Sequence, residues 1–290
     1  MSENFDRRLH PVRPDLAARA YEGRVQADRF VDGTIAQVTA DRLAMRAEPR
    51  SDKPIDTELL FGETVTVFEE TMEGWAWGQL ETDGYIGWFS SDGVGVPEAP
   101  THIVRALRTY RYPGPDLKFP PLGLISMGSK VTVMGSATTR GLDYALLSDG
   151  SAVVARHLAG LDRFEQDWVA VAEEFLGTPY LWGGRTSLGL DCSALVQLAA
   201  QAGGHDVPRD SDMQAAGAGE PVEASDLDAL QRGDLVFWKG HVGIVQGPNR
   251  LLHANGHTMT VASEPLDRAV ARIAENEFGN VTGIRRLSAE

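Results

Sequence analysis

At 290 residues the chain exceeds what one small hydrophobic core organises, so two or three domains are expected. Apolar residues make up 42% and charged residues 23%, the balance of a soluble globular protein. The formal charge of −14, from 41 acidic against 27 basic residues, disfavours nucleic acid, anionic membrane surfaces and anionic polymers as partners and leaves small soluble substrates.

The opening MSENFDRRLHPVRPDL lacks the apolar run of a secretory signal, and no stretch approaches membrane-spanning length. A single cysteine excludes an internal disulfide and the multi-cysteine zinc patterns. These features together lead us to expect a cytoplasmic protein. Residues 1–33 are polar and charged, with Asp15 placed to cap a short helix, LAARAYEG, that ends at Gly23. This segment reads as a strap on the domains that follow.

From about residue 34 short alternating strands separated by turn residues indicate an all-β barrel. The pattern then recurs. FGETVTV at 61–67 resembles MGSKVTV at 127–133, and TDGYIGW at 82–88 resembles SDGSAVV at 148–154. Gly62/Gly128, Val65/Val131, Val67/Val133, Asp83/Asp149 and Gly84/Gly150 all keep one offset of 66, which indicates a duplicated barrel. The copies span 34–97 and 98–160, joined by VPEAP. Trp75, Trp77, Tyr85 and Trp88 are expected in the core and rim of the first.

The third domain, 161–290, opens with a helical pattern at Trp168, Val171, Ala172, Phe175 and Leu176 that Gly177 and Pro179 end. After an irregular stretch at 203–230 come strand signals: DLVFW at 234–238, HVGIVQG at 241–247, LLHAN at 251–255, TMTVA at 258–262 and VTGIRRL at 281–287. Helices first and an antiparallel sheet after them give an α+β domain.

Between these lies LWGGRTSLGLDCSALVQLAAQA, residues 181–202, which holds Cys192. A glycine-punctuated loop ends in Asp191, a favoured N-cap, and an apolar helical pattern runs from there to Gly203–Gly204. A lone cysteine is ordinarily a small core hydrophobe. At the first position of a helix, however, unpaired N–H groups and the macrodipole lower a thiol's pKa and suit it to nucleophilic attack. His241 and His253 stand in strand-like runs on either side of the turn GPN at 247–249. If Gln246 and Arg250 close a three-residue loop, the two histidines are diagonal neighbours on one face, about 7–8 Å apart at Cα. A two-residue loop would put them on opposite faces. Gly243 would leave room opposite a working imidazole.

TPYLWGG, DCSALV, RGDLVFW, HVGIV and LLHANG, in that order, resemble the NlpC-type cell-wall peptidases, a papain-like cysteine peptidase family, over about 120 residues. The resemblance implies Cys192 as nucleophile, His241 as general base and His253 as the third polar residue. It also implies Tyr180 near the oxyanion site, and no cofactor or metal. Two barrels ahead of the peptidase domain, and RDS at 209–211, further resemble the γ-D-glutamyl-L-diamino-acid endopeptidase (dipeptidyl-peptidase VI type) branch. That branch implies cleavage of murein stem peptides after γ-D-glutamate, with a free N-terminal L-alanine required. Asp210, Ser211 and Ser193 are the matching substrate-binding positions, and Glu48 and Tyr85 the contribution of the first barrel. The expected architecture is two Src-homology-3-like barrels followed by an α+β papain-like domain. The expected partner is a small murein peptide, neither nucleic acid nor membrane. Alternatives are a peptide-binding protein on an inactive scaffold, or another cysteine amidase or transacylase. The sequence leaves open whether diaminopimelate or lysine follows D-glutamate.

Overall fold

The computed structural model of the chain describes residues 5–223 and 227–287. It divides into two compact units, residues 1–161 and 162–290. Mostly short strands build the first unit. Ile86–Ser90, Trp75–Leu80, Thr64–Glu70, Thr34–Val38 and Val94–Gly95 are neighbours in that order in one antiparallel sheet, and Arg42–Met45 pairs with Thr57–Leu60. Further along, Val133–Thr139, Leu142–Leu147 and Ala152–Val154 form a meander, and Arg108–Arg111 pairs with Gly123–Ser126.

The offset of 66 returns as repeated hydrogen bonds. Gly62 N–H donates to Val38 O and Gly128 N–H to Val104 O, while Val38 N–H donates to Glu63 O and Val104 N–H to Ser129 O. The Asp83 carboxylate accepts from Tyr85 N–H, two residues on, just as that of Asp149 accepts from Ser151 N–H. Each aspartate thus closes a turn on its own backbone, followed by a glycine at positive φ, 74° at Gly84 and 82° at Gly150. Among the clusters that the apolar alternation fills, one holds Val104, Ile125, Val131, Ala145, Leu147 and Val153, and a second holds Trp77, Ile86 and Trp88.

The N-terminal segment closes the second of these cores. Leu16 is fully buried among Trp77, Ile86 and Trp88, and the Arg13 guanidinium lies 4.3 Å from the Trp77 ring and 4.9 Å from that of Trp88. The expected LAARAYEG helix is absent. Ala17–Ala18 pairs instead with Phe30–Val31, and only a single 3-10 turn follows at Arg19–Tyr21. Asp15 does not cap it, because its carboxylate is bound by Arg13 at 2.6 Å.

In the second unit, helices α1 (Trp168–Glu174), α2 (Cys192–Ala202) and α3 (Ser211–Gly217) precede all strands of a six-stranded sheet. Its strands are β1 (Glu220–Pro221), β2 (Asp234–Trp238), β3 (His241–Gly247), β4 (Arg250–Asn255), β5 (Thr260–Pro265) and β6 (Gly283–Arg286), in the spatial order β1-β6-β2-β3-β4-β5. Every pairing is antiparallel. Helix α2 is buried along nearly its whole circumference and packs against β3 and β4. A further helix, α4 (Leu266–Asn276), runs between β5 and β6 and buries Leu266, Ala269 and Ile273 against Val236, Trp238, Val245 and Leu251. The strand signals alone did not anticipate it, although Leu266, Ala269, Val270 and Ile273 have helical spacing directly after Pro265.

Two repeat-related glycines separate backbone strain from crowding. Gly62 has φ 76°, and a Cβ there would lie 1.9 Å from Lys130 O, whose own N–H donates to Phe61 O. Gly150 has φ 82° and nothing within 4 Å of its Cβ position. Gly150→Ala is therefore expected to cost about 1–2 kcal/mol, the left-handed penalty alone. Gly62→Ala should cost clearly more, because a backbone carbonyl cannot move aside. Thermal unfolding followed by circular dichroism reads the difference, and equal losses would remove the role assigned to the Lys130 approach.

Candidate active site

Cys192 owes its position to a buried ion pair. Asp191 is the N-cap of α2, and its carboxylate accepts from Ala194 N–H at 2.9 Å, Gly183 N–H at 3.0 Å and the Ser193 hydroxyl at 3.1 Å. The buried Arg209 guanidinium grips both carboxylate oxygens, at 2.9 and 2.8 Å, and also donates to Ser193 Oγ and Gly184 O. Gln214 adds hydrogen bonds to Ser193 O and Pro208 O. The glycine loop, the start of α2 and the RDS segment are thereby held as one piece.

The first helical turn acts on the thiol in the expected direction, through the Ser193 N–H, but the net shift is upward. Burial pushes Cys192 up to about 12, and the adjacent Asp191 carboxylate pushes the same way. Arg209 and the N–H groups of Val242 and Ser193 oppose both and lose. The physical reason is that the capping carboxylate already occupies the positive end of α2, and little water reaches the sulfur.

The histidines come from β3 and β4. The connecting turn has two residues, Pro248 and Asn249, since Gly247 pairs with Arg250. A two-residue turn alone would have placed the rings on opposite faces. A bulge at Gln246 restores the register, so that Ile244 faces Leu252 and Val245 faces Leu251. Nε2 of His241 consequently lies 2.9 Å from Nδ1 of His253. The β3–β4 ladder extends no further toward the histidines than Ile244–Leu252, and beyond it the Val242 N–H reaches the Cys192 sulfur. The space at Gly243 does not serve an imidazole, for a Cβ there would meet Leu251 at 2.7 Å. The His241 ring is stacked on Phe278 at 5.3 Å and inclined to Trp238 at 5.6 Å. Burial, with help from His253 and Arg272, holds its pKa down at about 3.

Residues 177–273 match the NlpC/P60 family, and residues 45–94 match the bacterial dipeptidyl-peptidase Sh3 domain. The chain carries an NlpC/P60 domain. A protein of Lysinibacillus sphaericus named dipeptidyl-peptidase 6 is 25% identical over 240 residues, 76% of this chain and 87% of the relative. A γ-D-glutamyl-L-lysine dipeptidyl-peptidase of Bacillus subtilis is 29% identical over 235 residues, 70% of this chain and 73% of the relative. The crystal structure of an NlpC/P60 family protein from Bacillus cereus shares the fold, with a TM-score of 0.71 and 20% identity over 87% of this chain and 99% of that one.

Around the thiol of the NlpC/P60 domain, the Tyr180 phenol is half-buried. Its pKa is raised by burial first and then by Cys192 and Asp191, so it keeps its proton. Asp210 is half-buried at the N-cap of α3, Ser211 is that helix's first residue, and Ser193 lies in the Arg209–Asp191 network. Glu48 and Tyr85 belong to the N-terminal unit. There Glu48 is exposed and paired with Lys53 at 2.9 Å, and Tyr85 is buried. Arg209 was not anticipated. Its signal was the arginine of RDS itself, in a domain whose helix start already holds a carboxylate.

Removing Arg209 would leave Asp191 a buried, unpaired charge beside the thiol. Arg209→Met is expected to destabilise the NlpC/P60 domain by roughly 3–5 kcal/mol in urea unfolding. A loss below ~1 kcal/mol would mean that the pair does not hold the loop to α2.

Proposed function

We propose that the protein is a cysteine peptidase that hydrolyses the bond between γ-D-glutamate and a diamino acid in murein stem peptides. The observation that carries this reading is the linked pair of buried imidazoles, 2.9 Å apart, on strands packed against the helix that Cys192 begins. Neutral thiol and neutral imidazole are the resting forms, because burial opposes charge on each. As Sγ attacks the γ-carbonyl carbon, its proton passes to His241 Nδ1, and the carbonyl π electrons move to oxygen. The Cys192 backbone N–H, in a first helical turn without intrahelical acceptors, and the protonated Tyr180 hydroxyl are the proposed donors to that oxyanion. His241 then gives its proton to the departing amine, leaving a thioester. Water, deprotonated by His241, attacks the thioester, and breakdown frees the γ-carboxyl group and restores the thiol.

Asp210 is proposed to pair with the free ammonium of an N-terminal L-alanine, with Ser193 and Ser211 beside it. Its attachment to Arg209, which grips the residues flanking Cys192, supports that assignment. An ammonium with a pKa of roughly 8 is charged at neutral pH and complements a carboxylate. The strongly negative chain favours small released peptides over the anionic wall itself, which fits recycling of wall peptides in the cytoplasm.

Mass spectrometry of L-Ala-γ-D-Glu-diaminopimelate incubated with the protein should show L-Ala-γ-D-Glu and free diaminopimelate, and Cys192→Ala should abolish both. Intact substrate beside a wild-type protein whose thiol still alkylates would favour a peptide-binding role instead.

The ammonium pairing predicts a second result. A charge-assisted hydrogen bond of ~1.5–3 kcal/mol corresponds to roughly one to two decades in kcat/KM. Asp210→Asn should lose that factor on free peptide, and N-acetylated peptide should lose it with the wild type. The two losses should not multiply, since both remove one interaction. Equal rates on free and acetylated peptide would dismiss the assignment of Asp210.

A further inference from the structure

The hydrogen-bonded chain does not end at His253. His253 Nε2 lies 2.8 Å from Glu264 Oε1 on β5, and the same oxygen accepts from Arg272 Nη2 at 2.6 Å from α4. Arg272 is bound in turn by Glu277. The sheet register makes the contact inevitable once β5 is in place. His253 faces Ala262, so Glu264, two residues along, is its diagonal neighbour on the same face. No other carboxylate within hydrogen-bond distance of His253 is seen among the described residues.

We propose that Glu264 is a positioning residue of the active site: it fixes the His253 tautomer, and through it leaves His241 Nδ1 unprotonated for the Cys192 proton. The inference rests on the cysteine-peptidase reading above. Its logic is a proton count. For His241 to act as base at Nδ1, its single ring proton must sit on Nε2. That proton points at His253 Nδ1, which must then be a bare acceptor, so the proton of neutral His253 is on Nε2. Nε2–H needs an acceptor in a buried place, and Glu264 is the group that meets it. With the opposite tautomer of His253, Nδ1–H would donate to His241 Nε2, forcing the His241 proton onto Nδ1 and blocking the base.

The electrostatics agree with this arrangement. Glu264 is held down at about 2 by its hydrogen bonds from His253 and Arg272, so it is ionised and can only accept. Its charge is also the one influence on His241 that favours protonation, against burial, His253 and Arg272. Arg272 thus has a local task, to hold the carboxylate in place and keep it charged. The carboxylate, not the arginine, faces the ring.

The test uses the full chain labelled with 15N-histidine. Long-range 1H–15N spectra of the free wild-type protein should show His253 protonated at Nε2 and bare at Nδ1, and His241 protonated at Nε2. Glu264→Gln, whose amide oxygen still accepts from Nε2–H, should keep this pattern and retain kcat within about fivefold. Glu264→Ala should lose the single-tautomer signature and lower kcat on L-Ala-γ-D-Glu-diaminopimelate about 10- to 100-fold, with KM nearly unchanged. An unchanged His253 tautomer in folded Glu264→Ala, or equal loss of kcat in the Gln and Ala variants, would overturn the proposal. Should the Ala variant not fold, the wild-type spectrum decides, since a proton on His253 Nδ1 defeats the assignment. The spectra need no substrate. A wild-type protein with the expected tautomers and no hydrolysis would therefore sink the peptidase reading and not the tautomer assignment.

Discussion

Two buried imidazoles 2.9 Å apart share one hydrogen, and the proposed peptidase chemistry depends on which ring supplies it. Each ring has a second nitrogen, and what that nitrogen meets decides the matter. On the His253 side it meets an ionised carboxylate anchored by an arginine. Three consecutive strands and one helix contribute to this arrangement: β3 gives His241, β4 His253, β5 Glu264 and α4 Arg272. The register of an antiparallel sheet is an efficient way to hold it, because a slip of one residue would turn a side chain to the other face. The bulge at Gln246 has its significance here, since without it the short turn would misplace His253.

The sulfur is held by a different kind of constraint. Asp191 is an ordinary helix cap by type, yet its carboxylate receives two backbone N–H groups, a hydroxyl and both arms of Arg209. A buried ion pair of this kind is weak evidence of stability, because desolvation costs about as much as attraction returns. Its contribution is geometric. It ties the loop at 183–184, the first turn of α2 and the segment at 209–211 to one point, so residues far apart in the chain meet beside Cys192.

Much of this was legible from residue spacing. The cysteine helix, the histidine strands and the duplicated turns appear where the patterns put them, because each rests on local rules: a cap before an apolar helix, alternation in a strand, an aspartate–glycine turn. What escaped depends on tertiary contact. The LAARAYEG segment has good helix formers, but Leu16 and the Arg13 stack are worth more against Trp77 and Trp88 than a short isolated helix is worth alone. The thiol was misjudged because helix position is visible in sequence, whereas burial and a neighbouring carboxylate's net effect are not. Glu264 went unnoticed although its signal was present. In an extended strand Thr260, Ala262 and Glu264 lie on one face, and with β5 beside β4 that is the histidine's face.

A thiol held near 12 and an imidazole held near 3 look ill suited to the nucleophilic catalysis proposed for them. Separately, each charge is opposed by burial. Formed together, by the proposed transfer of one proton, thiolate and imidazolium attract each other where little water screens them. In the proposed reaction the attacking sulfur passes its charge to the carbonyl oxygen, to which the Cys192 N–H and the Tyr180 hydroxyl are the assigned donors, while the imidazolium stays in the field of Glu264. The same burial that suppresses an idle thiolate therefore strengthens each interaction made as the oxyanion develops. Such a site keeps its nucleophile protonated and chemically quiet until a carbonyl group is in place to receive the charge.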